Sequence, residues 1–206
     1  MHSNSAQIEI SEPKLFTLGT AATVNAYGFL LVAPIFASIL VVSLIKFGVL
    51  TVLIPVLMVV ATAYFLPFGL GNTHVTRLVR SFQPAADQGQ DGFIVQLTLS
   101  PRLRHGPRAI LEDADDIGYL SFSGTELRYQ GDSIKLTVPF DCIKEVAPKN
   151  IGLRGLFVYG RRIQVVVAGV SESESLEFAE RSSWVLPTSR AITRRLYERL
   201  SATVRA

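Results

Sequence analysis

Two charge-free runs decide the first reading of this chain: Val24 to Ile45, VNAYGFLLVAPIFASILVVSLI, and Gly48 to Leu70, GVLTVLIPVLMVVATAYFLPFGL. About 20 helical residues rising 1.5 Å each cover a bilayer core of roughly 30 Å, so each run has the length of a transmembrane helix. Only Lys46 and Phe47 separate them, which predicts an antiparallel helical hairpin over residues 24–70. A cleaved signal peptide fits poorly, because Glu9 and Glu12 precede the first run and no small-x-small cleavage site ends it. A buried helix pair would show an amphipathic stripe, and these runs show none.

Orientation follows from the basic residues. Arg77, Arg80, Arg102, Arg104 and Arg108 follow the second run, whereas the hairpin tip offers Lys46 alone. The positive-inside bias then predicts a two-span protein of the cell membrane with both termini cytoplasmic, the bilayer being its first partner. Pro34 and Pro55 fall within the runs, and Gly28, Ala33, Ala37 and Ser38 offer small surfaces for helix contact or homo-oligomerisation. No ionisable residue lies at mid-depth, which disfavours a proton or ion pathway.

Outward from the hairpin, composition narrows the classes. The chain has 206 residues, 49% hydrophobic and 18% charged, with a mean hydropathy of +0.34. The apolar excess is confined to residues 24–70, leaving material for one further domain. All but Lys14 and Lys46 of the 20 Lys and Arg lie beyond Gly71, against all but Glu9 and Glu12 of the 17 acidic residues. So even a balance gives no footprint for nucleic acid. The lone Cys142 closes no intramolecular disulfide, and the three His stand apart from any zinc spacing.

Beyond Gly71 continuous apolarity gives way to short alternating runs between Gly, Asp, Ser and Pro, the signature of strands and turns. Strands are expected at Phe93–Leu99, Gly118–Phe122, Glu126–Gln130, Ile134–Phe140, Ile143–Ala147, Leu153–Tyr159, Ile163–Ala168 and Leu176–Glu180, arranged as an antiparallel meander. Ser123-Gly124-Thr125, Gly131-Asp132 and Gly160-Arg161-Arg162 supply tight links. After Pro187, Ile192, Leu196, Leu200 and Val204 recur every four residues, which predicts an amphipathic C-terminal helix.

Gly118-Tyr119-Leu120-Ser121-Phe122-Ser123 with Leu127-Arg128-Tyr129 resembles the opening of GRAM-like and bacterial PH-like domains, and Val138-Pro139-Phe140-Asp141 with Ile143 and Val146 resembles their Ile-Pro-Leu element. Two spans followed by such a module resemble a family of bacterial membrane proteins with a C-terminal PH-like domain. The resemblance implies an α+β chain: a transmembrane helical hairpin, then a PH-like β sandwich or barrel of about seven strands capped by a C-terminal helix. The expected divisions are an N-terminal cytoplasmic segment (1–23), the hairpin (24–70), a connector with an extra strand (71–115) and the PH-like domain (116–206).

Catalytic signatures are missing: the sequence has no Gly-x-Ser-x-Gly elbow, Walker loop or His-Glu-x-x-His helix. Cys142 sits beside an apolar strand, where a buried packing role is expected. Glu112-Asp113-Ala114-Asp115-Asp116 is the densest acidic cluster; it lacks the order of a calcium loop and reads better as a solvated loop paired with Arg102, Arg104 and Arg108. Lys144, Lys149, Arg154, Arg161 and Arg162 form the candidate lipid or partner surface, a rim in which each charge adds about 1 kcal/mol toward anionic headgroups. No catalytic, cofactor or metal residues are assigned. The leading expectation is a membrane-anchored, non-enzymatic binding or scaffolding protein that presents its cytoplasmic domain to a protein partner or anionic lipid. The alternatives are a divalent-metal enzyme of lipid or envelope metabolism using Glu112 to Asp116, and an accessory subunit of a membrane complex.

Overall fold

A computed structural model describes residues 5–17, 19–20, 23, 33–47, 53, 56–57, 69–83, 92–103, 114–149, 162–168 and 175–205. Its centre is one eight-stranded antiparallel sheet, curled into a half-barrel. The strands are β1 (Gln7–Ile10), β2 (Phe93–Ser100), β3 (Asp116–Ser123), β4 (Glu126–Gly131), β5 (Ile134–Pro139), β6 (Ile143–Lys149), β7 (Arg162–Val167) and β8 (Ser175–Glu180), in the spatial order β1-β5-β4-β3-β2-β8-β7-β6. Among the described residues three helices accompany them: α1 (Ala33–Phe47), α2 (Gly69–Phe82) and α3 (Leu186–Arg205).

This architecture corrects two expectations. Among the described residues no helix is long and apolar enough to cross a membrane. The first apolar run yields α1, whose 15 residues extend only about 22 Å at 1.5 Å per residue, short of a bilayer core. The second run ends in α2, which continues past Leu70 to Phe82 and carries Arg77 and Arg80 on an exposed face. Most of the remaining residues of both runs, with Gly28 and Pro55, lie outside the described residues. The transmembrane hairpin, and with it the two-span cell-membrane placement with cytoplasmic termini, is therefore corrected. Apolar composition measures the tendency of side chains to leave water; spanning also requires helix length.

The second correction concerns the sheet. In place of a seven-stranded PH-like sandwich there is a single eight-stranded sheet, for two reasons. Gln7–Ile10, expected as part of a separate N-terminal segment, pairs antiparallel with β5 from Gln7 opposite Thr137 to Ile10 opposite Ile134. The strand expected in the connector is β2, and it lies at the centre, paired with β3 on one side and β8 on the other. Thus β2 joins the meander β3-β4-β5 to the meander β6-β7-β8. The run expected as a strand at Leu153–Tyr159 lies outside the described residues.

Alternation along the strands builds two cores. On the inner face Phe93, Val95, Leu97 and Leu99 of β2 meet Leu127, Tyr129, Leu136, Val138, Ile163, Val165 and Phe178, and α3 closes this core with Leu196 and Leu200. On the outer face Ile117 and Tyr119 of β3 pack with Val75 and Val79 of α2 and with Phe16. Phe16 is delivered there by Asp132 in the β4–β5 turn, whose Oδ2 accepts the Leu15 and Phe16 amides at 2.9 and 2.8 Å. The N-terminal segment is thereby clipped to the sheet at the strand and at this aromatic anchor. At the far edge, β6 presents Lys144, Glu145 and Pro148 to solvent, charges and a missing donor that discourage strand addition.

Two glycines permit close approaches. Gly118 and Gly131 are register partners, and a Cβ on Gly131 would fall 2.0 Å from the Asp116 carboxylate. Gly124, at φ +56° in the two-residue β3–β4 turn, occupies the left-handed region that favours glycine.

Candidate functional site

The acidic cluster does not form a metal centre in the described residues. Asp115 and Asp116 are fully buried. Asp115 Oδ2 accepts the Leu99 amide at 2.8 Å, and Asp116 Oδ2 accepts the Ser133 and Ile134 amides at 3.1 and 2.8 Å. Both carboxylates thus serve as acceptors for backbone donors that burial would otherwise leave without water. Glu112 and Asp113 lie outside the described residues, and among the described residues no group of three His, Cys, Asp or Glu is placed to hold a metal.

The basic residues expected to form one rim are placed differently from one another. Arg162 is buried on the outer face, where its Nη1 donates to Glu177 Oε2 at 3.1 Å and to Thr98 Oγ1 at 3.3 Å. Lys149 pairs with the other oxygen of the same Glu177. These two charges therefore neutralise a buried carboxylate between β2, β7 and β8. Lys144 is exposed on the edge strand β6, and Arg154 and Arg161 lie outside the described residues. The structure brings Lys149 and Arg162 together around Glu177.

Cys142 is buried in the inner core at the end of a 3-10 turn, Phe140–Cys142. Desolvation first, and then the neighbouring Asp141 carboxylate, push its thiol above the ordinary value. Both effects disfavour the thiolate that a nucleophile needs. His2 and His105 lie outside the described residues, while His74 is on α2.

The largest concavity among those described, about 920 Å³, is a groove between the β3–β4 turn, the 3-10 turn after β5 and the last turn of α3. Phe122, Pro139, Phe140 and Ile143 give one apolar wall, and Ala202, Thr203 and Val204 give the other. The two turns are tied by the Phe140 amide donating to the Thr125 carbonyl at 2.9 Å. Phe122 is braced edge-on by Phe93, with ring centroids 6.2 Å apart, and carries the Arg199 guanidinium 4.4 Å above its ring centroid. That spacing suits a cation–π contact. Asp141 supplies a carboxylate from the turn, so the groove holds one cation and one anion on different walls. Gly124 stands at the rim beside open space, since a Cβ there would meet nothing within 4 Å.

Arg199 is visible in the sequence only as one of several arginines on an amphipathic helix, and Phe140 as part of a turn motif. Their meeting depends on where α3 lies across β6, β7 and β8, which no local pattern specifies. No protein-family model matches the chain, and no curated protein matches it.

Proposed function

We propose that this chain is a non-enzymatic binding protein with a scaffolding role, and that its sheet domain holds a segment of a protein partner in the groove between Phe122, Phe140 and Arg199. The observation that carries the reading is the groove itself. Its volume of about 920 Å³ lies in the range of sites that enclose a ligand, and its mainly apolar walls carry a few fixed polar groups. Burying one large apolar side chain there contributes about 1.5–3 kcal/mol. Arg199 and Asp141 select charge: the complementary segment carries a large apolar residue with an acidic residue on the α3 side and a basic residue on the turn side.

The carboxylates and the thiol first considered for chemistry have other work. Asp115 and Asp116 accept backbone amides, and Cys142 is held in its neutral form by burial. The test is site-specific photo-crosslinking of the full-length chain in cells, with the photoreactive residue at Thr125 on the groove rim or at exposed Arg194 on the outward side of α3. A discrete protein adduct is expected from position 125 alone, and Val204→Asp, at the lip of the groove, should abolish it. Adducts of equal yield at both positions, or an adduct indifferent to Val204→Asp, would remove the groove from the account.

A further inference from the structure

A second concavity lies on another part of the molecule, where α2, the entry to β2 and the exit from β8 meet α3. It holds about 330 Å³ and is lined by Arg80 and Gln83, Gly92 to Ile94, Tyr119, Ser182, Ile192 and Arg195. We propose that this cleft is a binding site for a phosphate group, gripped between Arg80 and Arg195.

Charge argues first. Arg80 comes from the last turn of α2 and Arg195 from the middle of α3, and both are exposed. Among the described residues neither forms an ion pair, whereas Arg128, Lys149, Arg162 and Arg194 each have a carboxylate partner. Among the described residues no acidic side chain lines the cleft. The nearby Glu180 is turned inward: it is buried, and its Oε1 accepts the Ser182 hydroxyl at 2.6 Å and the Ser183 amide at 2.7 Å. Two guanidinium forks without a described counter-charge match the oxygens of a phosphate better than those of a single carboxylate.

Shape argues second. The cleft is built by packing that the fold requires for other reasons. Tyr119 belongs to the outer core and lies so close over Gly92 that a Cβ there would fall 2.3 Å from its phenol atoms. The Arg181 amide donates to the Ile94 carbonyl at 3.0 Å and fixes the β8 exit beside the β2 entry. Phe93, Ile94 and Ile192 give the floor an apolar part on which the organic portion of a phosphate ester can rest. A volume of about 330 Å³ is at the small end of ligand sites, the size of a phosphomonoester or a lipid headgroup and too small for a dinucleotide. The proposal stands independently of the groove, whose lining shares no residue with the cleft.

The experiment uses the full-length chain. Thermal unfolding is followed in inorganic phosphate and in chloride at matched ionic strength, and binding to vesicles of phosphatidylcholine is compared with vesicles that also contain phosphatidic acid. The wild type should be stabilised by phosphate, and Arg80→Gln and Arg195→Gln should each weaken binding by tenfold or more, as loss of a charge-assisted contact implies. Arg194→Gln, one residue away but outside the cleft, should bind as the wild type; far-UV circular dichroism confirms that each variant is folded. Vesicle retention that needs phosphatidic acid and both arginines identifies a lipid headgroup as the source. Phosphate binding without vesicle retention identifies a soluble phosphate ester. Stabilisation that survives both cleft substitutions, falls equally in Arg194→Gln, or is missing from the wild type overturns the proposal.

Discussion

Replacing Glu177 with leucine removes the carboxylate on which two cations converge. Its side chain is 6% exposed and that of Arg162 is 3% exposed, with Nη1 and Oε2 3.1 Å apart, whereas Lys149 is 40% exposed. The Lys149 contact is therefore screened, and its loss costs at most about 1 kcal/mol. Arg162 is the costly partner, because the substitution removes the carboxylate that its Nη1 meets while the guanidinium stays buried. Breaking such a buried pair from one side costs about 3–5 kcal/mol. A small domain has a total stability of about 5–15 kcal/mol, so Glu177→Leu should remove a large part of it. With a urea dependence of about 2 kcal/mol per molar, the unfolding midpoint should fall by roughly 2 M. Adding Arg162→Met to Glu177→Leu removes the stranded charge, and the double variant should return to within about 1–2 kcal/mol of the wild type. Urea unfolding followed by far-UV circular dichroism measures all three proteins. A single-variant loss below about 1 kcal/mol, or a double variant no more stable than the single, would refute the assignment of Arg162 as a structural rather than a partner-facing residue.

Three further outcomes follow from named contacts. Asp116→Ala removes the acceptor of the buried Ser133 and Ile134 amides and should cost about 2–5 kcal/mol in urea unfolding, with Asp116→Asn costing less because one carbonyl oxygen remains. Phe16→Ala empties a fully buried place between α2 and β3; it should cost about 3–5 kcal/mol and make the segment around Ser11–Thr17 newly susceptible to limited proteolysis. The Cys142 thiol should resist iodoacetamide in the folded chain and react on denaturation. Since burial and Asp141 raise its pKa in the fold, the unfolded chain ionises first as pH climbs past the ordinary 9.0. The contribution of Cys142 to stability is then intact below that pH and declines above it, a slope that Cys142→Ser should flatten.

Strand positions were readable because alternation is local. The runs around Leu127–Tyr129, Leu136–Val138 and Ile163–Val165 place inner-core residues at every second position, as a one-sided sheet requires. Partners were not readable. Gln7–Ile10 carries only two apolar residues, and its register with Thr137–Ile134 is set by a segment more than 120 residues away. The centrality of β2 likewise depends on pairing with β8, whose β2-facing positions run from Ser175 to Glu180. The acidic run misled because the same residue types serve solvated loops and buried amide acceptors; what separates Asp115 and Asp116 from a surface patch is the approach of Leu99, Ser133 and Ile134. For Lys149 and Arg162 the missing information was Glu177 on β8, whose neighbour Gln164 lies opposite it on β7.

The placement of α3 explains why both concavities escape a reading of local pattern. Its buried stripe is Leu186, Ser189, Thr193, Leu196 and Leu200, spaced by three, four, three and four residues, so the helix is anchored along one line. That line keeps Leu196 and Leu200 of the expected one, while Ile192 is only partly buried against the core and Val204 is 38% exposed. Residues one turn apart beside the stripe then border different hollows. Arg195 reaches the cleft against α2, and Arg199 reaches the groove against the β3–β4 turn. Arg194, on the outward side, pairs instead with Glu198 at the surface. Three arginines of one helix are thus separated into distinct roles by a single rotational setting, and that setting is determined by how Leu196 and Leu200 enter a core built mainly by strands.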